Sequence, residues 1–221
     1  MASNANKIIN YLNYLYPNAK CELKHSNNFQ FLIAVVLSAQ TTDDKVNIVT
    51  KELFNKYPNA LSLSKAKISD IERIIKPLGL YKNKTKNIVS LSKILYEKYN
   101  GRVINDRQVL ESLPGVGRKT CNVVLNNCFN EDTFAVDTHV SRVSKRLGIA
   151  NEKDEPITIE KNWWYIFLRI NGENFIINLY FLVDTNARLL NQFVKIVSLN
   201  LFAIILNDIT SLFDILDFEL G

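Results

Sequence analysis

Apolar residues recur at helical spacing along almost the whole of this 221-residue chain, and no stretch sustains the alternation that a half-buried strand requires. Ile8, Ile9, Leu12 and Leu15 mark a first helical segment, and Phe31, Leu32, Val35 and Val36 a second. The same spacing predicts helices near 43–56, 68–76, 83–99, 106–112, 118–128 and 138–147. Pro58, Pro77, Asn100-Gly101 and Pro114-Gly115 punctuate them. The expected fold class is therefore all-α with short connections. Seven glycines and five prolines argue against long structureless regions.

Charge is divided unevenly. Residues 1–162 carry 24 Lys and Arg against 16 Asp and Glu, whereas residues 163–221 carry 3 and 6. The basic excess in the first part favours a polyanionic partner and salt-sensitive binding. Cys21, Cys121 and Cys128 are odd in number, lack ligand-like spacing and follow no charged-then-apolar leader, which fits a reduced, cytoplasmic compartment. Cys121 and Cys128 read as small core residues. His25 and His139 stand far apart in sequence, so no metal site is expected from them. The run Leu199 to Leu206 is too short, and is interrupted by Asn200, to span a bilayer.

One segment carries chemistry. Leu113-Pro114-Gly115-Val116-Gly117-Arg118-Lys119-Thr120 lies between two amphipathic stretches, and Val136-Asp137-Thr138-His139 follows it closely. The two glycines permit positive φ and close backbone approach. Amides of such a turn, at the start of the helix 118–128, can donate to a phosphate oxygen without reading a base. Gly115, Val116, Gly117 and Arg118 are thus candidate DNA contacts. Lys119 sits where the positive end of the helix dipole and Arg118 disfavour a protonated amine. A neutral lysine amine there is a nucleophile suited to attack a sugar C1′ and form a Schiff base. Asp137 precedes the helix 138–147, where an N-cap carboxylate contributes about 0.5–2 kcal/mol.

With these motifs stand Leu37-Ser38-Ala39-Gln40-Thr41-Thr42-Asp43, and Gly79-Leu80-Tyr81 with Lys84 and Asn87. Together, in this order and spacing, they make the chain resemble the endonuclease III family of base-excision DNA glycosylases, in the helix-hairpin-helix superfamily. The resemblance covers roughly residues 5–162. It implies a six-helix module over 22–132, and a second helical module built from 1–21 with 133–162, with double-stranded DNA across the cleft that the two flank. It implies catalytic roles for Lys119 and for Asp137, which in the family faces the lysine and stabilises positive charge developing on the sugar. It places Gln40 and Leu80 where side chains enter the duplex after a nucleotide is extruded, at a cost of a few kcal/mol. Lys84, among the lysines of Tyr81-Lys82-Asn83-Lys84-Thr85-Lys86, is expected to contact phosphate. The implied activity is removal of oxidised pyrimidines with abasic-site lyase cleavage by β-elimination. A monomer is the default state.

The family ends in four cysteines spaced C-x6-C-x2-C-x5-C that hold a [4Fe–4S] cluster. This chain has no cysteine after Cys128, and its composition changes at about Trp163. A shift of reading frame accounts for both. If each codon takes the last base of one residue and the first two of the next, cysteine requires Val or Ala on the right and a residue able to end in T on the left. Asn186-Ala187, Phe193-Val194, Ile196-Val197 and Phe202-Ala203 all qualify, and their separations reproduce the family spacing. Residues 163–221 contain only one other Val or Ala, Val183. The segment 163–221 therefore reads as out-of-frame translation that replaces the cluster region, leaving the second module incomplete. The cluster is expected only for the in-frame product.

Two competing functions follow. Adenine-removing glycosylases share the hairpin and the aspartate but generally lack this lysine, so Lys119 argues against them. A non-enzymatic or inactivated helix-hairpin-helix protein would grip DNA through the same turn without forming a covalent bond to it.

Overall fold

A computed structural model describes residues 21–146 and 148–168. The first helical segment, Ile8 to Leu15, and the tail beyond Leu168 lie outside the described residues. Nine helices and no strands occur among those described. They are α1 (Asn28–Ser38), α2 (Asp43–Lys56), α3 (Ala60–Ser64), α4 (Ile68–Ile75), α5 (Tyr81–Tyr99), α6 (Arg107–Glu111), α7 (Arg118–Phe129), α8 (Thr138–Arg146) and α9 (Pro156–Leu168). The chain divides into two compact units, one of residues 22–135 and one of residues 1–21 with 136–221.

In the unit 22–135, α1 is the central element. Every residue from Phe29 to Leu37 is buried, as expected of a helix that is apolar all round. It packs against α2, α5 and α7. Its one buried polar side chain, Gln30, is satisfied: Oε1 accepts from Ser26 N–H at 2.9 Å, and Nε2 donates to the Pro58 carbonyl at 3.3 Å. Asn27 caps the helix by accepting from Gln30 N–H at 2.9 Å. The long α5 buries Ile88, Leu91 and Leu95 against α3 and α4, and ends at Asn100 in the left-handed region. Gly101 (φ +76°) then donates to the Leu95 carbonyl at 2.9 Å, closing the helix end.

Helix α3 has no counterpart in the sequence expectation. It is only five residues long, too short for a period to register, and exists because Asn59 and Ser62 form a reciprocal capping box. Helix α9 was likewise not anticipated, and it runs through position 163, where the compositional break was placed. In the second unit α8 and α9 pack together. Trp163, only 4% exposed, donates from Nε1 to Ser144 Oγ at 2.7 Å, and Ser144 Oγ donates to the Val140 carbonyl at 2.7 Å.

Candidate functional site

The segment Leu113–Gly117 folds as a tight turn that presents α7. Val116 N–H donates to the Leu113 carbonyl at 3.0 Å, with Pro114 and Gly115 between them and Gly115 at φ +82°. Pro at the second position and a positive-φ glycine at the third make this a type II turn. Gly115 is required twice over: a Cβ there would lie 2.8 Å from Asn87 Nδ2 and 3.0 Å from Asn87 Cβ, on α5. Gly117, the N-cap of α7, has φ −92° and open space where a Cβ would project. Both glycines are exposed, and their N–H groups have no partner among the described residues. Arg118 and Lys119 follow on the exposed first turn of α7.

Val116 departs from the expectation that it contacts DNA. Its side chain is buried in the core at 5% exposure, and its N–H is committed to the turn. The residue anchors the hairpin from beneath. Cys121 is buried in the same core and Cys128 is half-buried against it.

Lys84 departs further. In place of the expected phosphate contact, it is 5% exposed and its ammonium points inward, donating to the Leu37 carbonyl at 2.9 Å and to Thr41 Oγ1 at 2.8 Å. Burial lowers its pKa from the ordinary lysine value. Its neighbours Lys82 and Lys86 are exposed instead. Sequence could not separate the three, because Lys84 lies on the same helix among them and only the facing loop decides which one turns in.

Gln40 and Leu80 are both exposed and both adopt left-handed backbone conformations, at φ +56° and +57°. Leu80, at 62% exposure, is the N-cap residue of α5 and offers no side-chain cap.

Asp137 belongs to the other unit. Its Oδ1 accepts from Val140 N–H at 2.8 Å, so it is the N-cap of α8. The connecting segment is held onto α7 by Asn122, which sequence reading passed over. Asn122 Nδ2 donates to the Phe134 carbonyl at 2.7 Å, and Thr133 Oγ1 donates to the Asn122 carbonyl at 2.6 Å. A polar residue at an otherwise apolar helix position was the available signal.

Among the described residues no group of three or more His, Cys, Asp or Glu could hold a metal ion, and none of their helices is long and apolar enough to cross a membrane. Three cysteines in the whole chain do not fit a four-thiolate cluster.

Residues 33–167 match the HhH-GPD superfamily base excision DNA repair protein family. The match extends past residue 162, where the sequence resemblance was placed. The chain is 52% identical over 147 residues to Endonuclease III of Bacillus subtilis (strain 168), covering 66% of this chain and 67% of the relative. It is 44% identical over 145 residues to Endonuclease III of Escherichia coli (strain K12), covering 66% and 69%. Among solved structures, a trapped Endonuclease III–DNA covalent intermediate is similar at TM-score 0.74 and 43% identity, over 82% of this chain and 84% of that one. A thermostable thymine-DNA glycosylase, at TM-score 0.65 and 21% identity over 89% and 86%, shares the fold.

Proposed function

This chain belongs to the HhH-GPD superfamily of base excision DNA repair proteins and is a DNA glycosylase with abasic-site lyase activity; on that premise we propose that Lys119 is its nucleophile and oxidised pyrimidines its substrates. The observation that carries the reading is an exposed lysine two residues past Gly117, at the end of a turn segment whose exposed glycine amides suit a phosphate. The Lys119 amine attacks C1′, and the C1′–N bond to the damaged base breaks with the base leaving protonated. Opening of the sugar gives a Schiff base between C1′ and Nζ. Loss of a C2′ proton then expels the 3′ phosphate by breaking its C3′–O bond, and water hydrolyses the imine to return the lysine.

Asp137 keeps its cap and takes a second role, stabilising positive charge that develops on the sugar. Gln40 and Leu80 fill the stack vacated by the extruded nucleotide. Gly115, Gly117 and Arg118 hold the phosphate backbone. The protein acts as a monomer in the cytoplasm on damaged or abasic duplex DNA. In the in-frame product, four cysteines recovered from 186–203 hold a [4Fe–4S] cluster that staples the second module; no step of the chemistry passes through it. In this reading 22–132 is the hairpin-bearing module, and 1–21 with 133–162 the partner module.

The test is borohydride reduction during reaction with abasic-site DNA. Wild-type protein forms a covalent adduct, and Lys119→Ala forms none while still binding the duplex. Equal trapping by the variant removes Lys119 from the mechanism.

A further inference from the structure

Two exposed residues, Gln40 and Leu80, hold left-handed backbone conformations that cost energy for any side chain and most for a bulky one. The other non-glycine residues of this kind among those described, Asn100 and Asn130, are helix C-caps of the residue type that tolerates the conformation. Strain of this sort persists only where the surroundings over-determine it. Both turns converge on Lys84. Its backbone N–H donates to the Leu80 carbonyl at 3.0 Å, closing the first turn of α5. Its ammonium donates to the Leu37 carbonyl, an orphan of the last turn of α1, and to Thr41 Oγ1. Thr41 N–H in turn donates to the Ser38 carbonyl at 2.9 Å, so Gln40 is enclosed by a turn pinned at both ends.

We propose that Lys84 is a positioning residue that locks the Gln40 turn to the Leu80 turn, so that the two side chains enter the duplex as one rigid wedge. This rests on the reading of Gln40 and Leu80 given above. A buried ammonium is costly unless its donors are matched, and an ammonium has three to place. Here two of them tie position 84 to a segment 43 to 47 residues away. A neutral side chain at position 84 would leave the Leu37 carbonyl unpaired and the turn free to relax its φ. Because the charge faces inward, Lys84 releases no counterions from DNA.

The full chain is compared with Lys84→Met, Lys84→Arg and Thr41→Val on duplexes carrying an oxidised pyrimidine beside 2-aminopurine, and on pre-formed abasic DNA. Folding is followed by circular dichroism. In Lys84→Met the salt dependence of duplex binding is unchanged, whereas the fluorescence rise on base extrusion and single-turnover excision slow by tenfold or more. Borohydride trapping on abasic DNA, where little pairing is lost on extrusion, falls less. Thr41→Val, which keeps the charge, slows extrusion severalfold, and Lys84→Arg restores part of it. A salt slope reduced by about 0.9, the loss of one phosphate contact, overturns the proposal. So does extrusion at the wild-type rate in Lys84→Met or, where that variant does not fold, in Thr41→Val. Failure of the wild-type protein to trap on abasic DNA would instead sink the Lys119 reading, which none of these variants touches.

Discussion

Gly115 and Gly117 lie two residues apart in one turn, yet replacing each by alanine should do different things. Gly115→Ala incurs two costs. A left-handed alanine costs about 1–2 kcal/mol, and its Cβ meets Asn87 at 2.8–3.1 Å, inside any ordinary contact. Overpacking of this kind costs about 1–3 kcal/mol. The total, roughly 2–5 kcal/mol, should lower the melting temperature by roughly 4–20 °C at about 2–4 °C per kcal/mol. Asn87→Ala removes the two nearest side-chain atoms beyond Cβ, so it should recover about 1 kcal/mol of that cost in a double-mutant cycle. Gly117→Ala has φ −92° and open space, so its melting temperature should stay near the wild-type value. On the proposed reading of Gly117 as a phosphate contact, its loss should fall on DNA affinity. Melting curves and duplex binding for the four variants decide the matter. Neutral stability in Gly115→Ala, or no coupling to Asn87, refutes the account of the turn.

Asp137→Asn keeps a good helix cap and should leave stability and DNA binding nearly intact while cutting turnover by roughly a hundredfold; Asp137→Ala should in addition lose about 1 kcal/mol in urea unfolding. Unchanged turnover in Asp137→Asn removes the residue from the mechanism. Trp163→Phe leaves Ser144 Oγ without its buried N–H donor and should cost about 1–2 kcal/mol by the same assay. Asp70 accepts a hydrogen bond from the Lys56 ammonium at 2.9 Å, which, with the charge of Lys56, holds its carboxyl below the ordinary value. The pair therefore stabilises the fold above that ordinary value and ceases to do so as pH falls through the depressed one. Acid titration followed by circular dichroism should show this part of the limb missing in Asp70→Asn, with a small amplitude because both groups are exposed.

The all-α class and seven of the helix positions within the described chain were legible because long amphipathic periods survive local irregularity; the 68–76 and 106–112 segments differ from α4 and α6 by a residue or so at their ends. Helix α3 was not legible, since five residues held by one capping box leave no period. The turn at 113–117 could be read nearly completely: Pro then Gly at the two central positions admits few conformations. The direction of Lys84 could not be read, because it depends on an acceptor pair 43 to 47 residues away. The inward placement of Val116 was hidden for a related reason, its N–H being spent within the turn that it helps to form. Sequence grouped residues by motif, and within each motif burial then sorted those that face outward from those that hold the others in place.

Lys119 is proposed to bond covalently to the sugar. The most direct measurement is peptide mapping by mass spectrometry of the borohydride-reduced adduct with abasic DNA. The added deoxyribose fragment should be found on the peptide containing Lys119, at its side-chain nitrogen. An adduct on Lys84, Lys82 or the N-terminal amine, with Lys119 unmodified, would contradict it.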